Sequence, residues 1–76
     1  MVRLSFNIGQ AHQVAPGDFV GVIAGVARVP KEVVGRIEIL DRQALVDVSD
    51  ECANLVLKKL NGIKFKGRKL AVSVAR

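Results

Sequence analysis

The sequence predicts an α+β domain of order β-α-β-β-α-β, in which a four-stranded antiparallel sheet carries two helices on one face. Three observations predict it. Four segments, "VRLSFNI", "GRIEIL", "ALVDV" and "KLAVSVA", alternate apolar and polar residues, the period of a half-buried strand. Two segments, one opening at Pro16 and one between Ser49 and Gly62, place apolar residues at helical spacing. The inward rows of all four strands can meet those helices and leave the other face open. Half of the 76 residues are hydrophobic, which excludes a disordered segment. The length allows one small domain near the lower limit for a single core. With three Phe and no Trp or Tyr, that core is built mainly from Val, Ile, Leu and Ala.

The first strand, 2–8, turns Val2, Leu4, Phe6 and Ile8 inward and Arg3, Ser5 and Asn7 outward. "GQAHQVA" is a polar loop opened by Gly9. Pro16 suits the first helical turn, where no amide hydrogen is needed, and Asp18 suits the positive N-terminal end. This helix is expected over Pro16 to Ala27, burying Phe19, Val20, Ile23 and Val26. Gly17, Gly21 and Gly25 recur every fourth residue, a spacing that lets a helix lie close against a sheet. "VPKEVV" forms a short helical turn before Gly35. In the second strand Ile37 and Ile39 face inward and Arg36, Glu38 and Leu40 outward, and "DRQ" makes a tight connection. In the third strand Ala44, Val46 and Val48 face inward and Gln43, Leu45 and Asp47 outward. Ser49 is a natural N-cap, with Asp50 and Glu51 in the turn after it. Ala53, Val56, Leu57 and Leu60 then share one helical face, and Gly62 ends the helix. "GIKFKG" sets Ile63 and Phe65 against Lys64 and Lys66. The last strand buries Leu70, Val72 and Val74. Assembled in this order, the elements give the ferredoxin-like arrangement.

Charge is distributed unevenly. Residues 1–57 hold five basic and seven acidic side chains, whereas residues 58–76 hold seven basic and none acidic. Such asymmetry points to an anionic partner at the C-terminal end. Cys52 is the only cysteine, so no internal disulfide can form, and a reducing compartment fits. The stretch 14–29 is too short and interrupted to span a bilayer. His12 is the only histidine; no Cys or His spacing supports a metal, and no Gly-rich lysine loop cradles a nucleotide phosphate. The chain is therefore expected to hold no catalytic group, metal or cofactor of its own.

"LNGIKFKGRKLAVSVA" resembles the end of an RNA-recognition motif, where a helix closing on Asn-Gly leads to a Gly-Arg-x-Leu-x-Val strand. With "RLSFNIG", "PGDFVGVIAG", "GRIEILDR" and "VDV", the whole chain is similar to the C-terminal RNA-binding domain of bacterial DEAD-box RNA helicases of the DbpA and CsdA/DeaD type. The resemblance implies one RRM-like domain, 1–76, from the C-terminus of a longer cytoplasmic helicase. The implied partners are structured RNA, ribosomal RNA above all, and a helicase core in cis, with no membrane and a monomeric domain. ATP and Mg would serve that core in ribosome assembly or RNA remodelling. Ordinary RNA-recognition motifs stack bases on aromatic residues of the first and third strands. Here those places hold Ser5, Gln43 and Leu45, so the stacking platform is missing. Relatives often carry basic residues in the first loop, where this chain reads Gln10, Ala11, His12 and Gln13.

The expected RNA contacts fall into two groups. Lys64, Lys66, Arg68 and Lys69 face solvent on the closing stretch, Arg76 extends that edge, and Arg3 and Arg36 widen the patch across the open face; these would meet phosphates. Ser5, Asn7, His12 and Gln43 are the candidate hydrogen-bonding readers of bases or ribose hydroxyls. The alternative is a protein-interaction module of the same fold, motivated by the missing aromatics and an exposed Leu40 and Leu45.

Overall fold

A computed structural model describes residues 1–75, and the expected contact at Arg76 lies outside them. Strands β1 (Val2–Phe6), β2 (Val34–Ile39) and β3 (Ala44–Val48) join a last sheet strand, Val72–Val74, in the order β2-β3-β1-last. All pairings are antiparallel. Helices α1 (Pro16–Ala27) and α2 (Asp50–Leu60) pack on one face, giving the ferredoxin-like arrangement expected. The C-terminal segment is not one strand. It forms a separate two-stranded hairpin, β4 (Lys64–Phe65) and β5 (Arg68–Lys69), before β6 (Val72–Val74) enters the sheet.

The core follows the strand alternation. Leu4, Phe6, Ile8, Ala44, Val46 and Val48 are buried beneath Phe19, Ile23 and Ala27 of α1 and Ala53, Val56 and Leu60 of α2. Phe19 is its aromatic centre, edge-on to Phe6 at 5.3 Å and tilted against Phe65 at 6.2 Å. Val20, Val26 and Leu57 are half-buried. Val74 departs from expectation. It pairs with Leu4 at the end of an edge strand and is 44% exposed, because no neighbouring strand covers that side.

The glycines of α1 also depart. Gly17, Gly21 and Gly25 are exposed, and a Cβ on any of them would meet nothing within 4 Å. The row that packs is Phe19, Ile23 and Ala27, so the glycines form a bare outer ridge. Ser49 occupies the N-cap position of α2, but its hydroxyl makes no cap bond. Gly9 is required for a close approach: a Cβ there would lie 2.6 Å from the Gln43 amide nitrogen and closer still to the Leu40 carbonyl oxygen. This contact lets Gln10 and Ala11 donate to the carbonyls of Leu40 and Asp41 at 2.7 and 2.8 Å, tying the first loop to the β2–β3 turn.

Candidate nucleic-acid interface

The strand register defines two ends of the sheet. Val2, Val34 and Val48 mark one; Phe6, Ile39, Ala44 and Val72 mark the other. The first loop, the β2–β3 turn, the end of α2 and the β4–β5 hairpin all emerge at the second end, here termed the loop end.

Local backbone chemistry shapes the hairpin. Lys66 and Gly67 take φ values of 53° and 75°, the paired positive angles of a type I′ turn, whose twist suits a two-residue hairpin. Pairing then sorts the side chains by face. Phe65 stands opposite Arg68, and Lys64 opposite Lys69. Phe65 faces the core against Phe19, so Arg68 lies on that side too, and its Nε donates to the Asn7 carbonyl oxygen at 2.9 Å. Lys64 and Lys69 share the other face. The four cations expected to form one array are thus divided, because a hairpin reverses the chain between Lys66 and Arg68.

Two asparagines fasten the hairpin to the sheet. Asn7 donates from Nδ2 to the Lys69 carbonyl oxygen at 3.0 Å, and its Oδ1 accepts from the Ala71 N–H at 2.8 Å. Asn61 treats Val72 likewise, donating to its carbonyl oxygen at 2.9 Å and accepting from its N–H at 2.7 Å. Each amide replaces a pair of ladder bonds where the strand breaks between β5 and β6. Asn7, an expected reader of RNA, instead has both ends of its amide committed to the backbone.

Lys66 reaches Asp18 at 3.4 Å. The Asp18 carboxylate also accepts from the Ala15 N–H at 2.9 Å. That bond first, and Lys66 second, hold its carboxyl below the ordinary 3.8. His12 is half-buried and its Nδ1 accepts from the Gly9 N–H at 3.1 Å, so one ring nitrogen serves the loop rather than a ligand.

The other predicted residues lie elsewhere. Arg3, on the open face, donates from Nε to Asp47 Oδ1 at 3.1 Å across the β1–β3 pair. Arg36 is exposed beside the irregularity between Val34 and Ile37, toward the end away from the hairpin. Ser5 and Gln43 join Arg3, Leu45 and Ser73 around a shallow concavity of about 420 Å³ on the open face, with no aromatic lining it. Leu40 and Leu45, expected to be exposed, are half-buried.

The sequence reading missed three cations at the loop end. Arg42 is exposed in the β2–β3 turn, and Lys58 and Lys59 are exposed in the last turn of α2. Lys58 and Lys59 lie within the basic segment 58–76, whereas Arg42 joins them only in space, because the β2–β3 turn lies at the same end. Counting them, Arg42, Lys58, Lys59, Lys64, Lys66, Arg68 and Lys69 share this end with Asp18 and Asp41. Among the described residues no cluster of His, Cys, Asp and Glu could hold a metal ion, and no helix is long and apolar enough to cross a membrane.

Comparison with known proteins identifies the family. The chain is 34% identical over 70 residues to an uncharacterized protein of Treponema pallidum, covering 92% of this chain and 31% of that one. It is 32% identical over 75 residues to the ATP-dependent RNA helicase DbpA of Bacillus subtilis, covering 99% of this chain and 16% of the helicase. The chain therefore spans about a third or less of the length of these relatives. The DbpA RNA binding domain family matches residues 3–74, nearly the whole chain. With this fold, a cationic loop end and a match of that extent, the chain belongs to the DbpA RNA-binding domain family.

Proposed function

We propose that this domain holds an attached ATP-driven RNA helicase core against structured RNA, ribosomal RNA in particular, by docking its loop end on the phosphate backbone. One observation supports this reading: seven basic side chains, six from residues 58–69 and the seventh Arg42, share that end with two carboxylates. Lysine and arginine contacts to phosphate supply affinity and orientation with little sequence information. The open sheet face lacks the aromatic platform that would bind a single strand by stacking, which favours a folded RNA as the ligand. Strand separation, ATP and Mg belong to the core in this reading, and the domain works as a monomer in the cytoplasm.

Fluorescence anisotropy with ribosomal RNA stem-loops and shuffled-sequence controls tests it. If about four phosphates are neutralised, log affinity falls against log salt with a slope of roughly −3 to −4. Equal affinity for the shuffled controls would remove the ribosomal assignment. A salt-independent isotherm would remove the phosphate-docking mode altogether.

A further inference from the structure

We propose that Lys64 and Lys69 form a clamp that takes a single backbone phosphate between them, on the face of the hairpin turned away from Phe65. The clamp rests on the RNA reading above and gives it a specific anion site. Lys64 and Lys69 are direct cross-strand partners, both exposed. Like charges directly opposite on a strand pair oppose folding. Among the described residues neither has a carboxylate within 4 Å, whereas Arg3 pairs with Asp47 and Lys66 with Asp18.

The pairing cannot relax by slipping. The type I′ turn sets the register, Phe65 is packed on Phe19, and the Asn7 amide holds the main chain at Lys69 and Ala71. Lys69 is directed further by Gly62. Its Cε passes 3.8 Å from the place a Cβ would occupy there, so its stem runs over the glycine beside the end of α2. Lys58 and Lys59 stand in that last helical turn. Two lysines fixed opposite each other on one face, with a cationic helix end nearby and no carboxylate partner among the described residues, complement an anion whose oxygens accept from both. A phosphodiester is such a group, and charge-assisted N–H···O bonds of about 2.7–2.9 Å would join it to each lysine.

A double-mutant cycle on the 76-residue chain, read by anisotropy with a paired RNA stem-loop, distinguishes a shared phosphate from separate contacts. Lys64→Ala and Lys69→Ala should each weaken binding about fivefold. The double variant should lose only about tenfold rather than the product, and the salt slope should flatten by about one. Inorganic phosphate should shift the side-chain NMR signals of both lysines with one midpoint. Folding stability of each single variant should match or exceed that of the parent chain, since repulsion is relieved; a marked loss would assign these lysines to packing and overturn the clamp. Multiplicative losses with a slope change of about two would assign two phosphates and also overturn it. If only Lys58→Ala with Lys59→Ala weakens binding, the clamp falls and the RNA reading stands. If neither pair matters and binding stays salt-dependent, the clamp falls and the RNA reading stands on Arg42, Lys66 and Arg68; a salt-independent isotherm overturns both.

Discussion

The two ends of the sheet treat their charges differently. At the end marked by Val2 and Val48, Arg3 meets Asp47 at 3.1 Å, and Arg28, Lys31 and Arg36 share that end with Glu32, Asp50 and Glu51. At the loop end, Lys66 alone among the basic residues has a carboxylate partner among the described ion pairs, and Arg68 is drawn to a backbone carbonyl. Positive charge is thus offset by neighbouring carboxylates at one end and left in excess at the other. Cations satisfied internally contribute modestly to the fold, whereas cations left without counter-charge keep their electrostatic potential for an external anion. The ends also differ in construction. Ladder bonds continue to Val2 and Val48, but the loop end is assembled from side-chain amides and loop-to-loop contacts.

Removing one of those amides is the most disruptive way to break this contrast. Asn61→Ala takes away both bonds to Val72 and the bond to the Leu57 carbonyl oxygen, and should cost about 1–3 kcal/mol. Its urea midpoint should fall and the Val72 amide should exchange faster with solvent. Unaltered exchange at Val72 would show that the backbone, not Asn61, holds the hairpin.

Arg3→Gln sharpens the comparison from the opposite end. The half-exposed pair with Asp47 contributes about 0–1 kcal/mol, so stability should change little. RNA affinity should stay within about twofold, since a change of about one in salt slope is expected only where a phosphate contact is lost. A loss as large as that of a hairpin lysine would move the interface onto the open face.

The smallest effect concerns pH. Because the folded-state pKa of Asp18 is depressed, its contribution is present above the unfolded value and disappears as pH falls through the lower, folded one. The stability difference between the parent chain and Asp18→Asn should thus be visible near neutrality and vanish in strong acid. A difference that persisted there would place the effect in side-chain shape rather than in charge.

Much of this architecture was legible from side-chain periodicity. Strand β3 and helix α1 were read with the boundaries observed, and Leu4, Phe6, Val46 and Val48 with their facing. Periodicity reports which side of an element is apolar, and a sheet covered on one face makes that signal strong. It failed where local pattern and neighbourhood part company. "KLAVSVA" alternates like one strand, yet Asn7 and Asn61 substitute for the ladder and break it in two. The glycines of α1 were assigned to the buried side, although the larger row Phe19, Ile23 and Ala27 is the one that packs. Asn7 alternated outward like a reader of RNA, and only the returning chain revealed its partners.

By itself, the sequence determined the element order, the apolar rows that form the core and the excess of positive charge in residues 58–76, because each is a property of neighbours along the chain. Tertiary structure alone decided which cations are paired, which stand together and which face of the hairpin each one takes. Those outcomes depend on contacts between residues as far apart as Asn7 and Lys69, and electrostatic availability is set by distance in space rather than by position in the sequence.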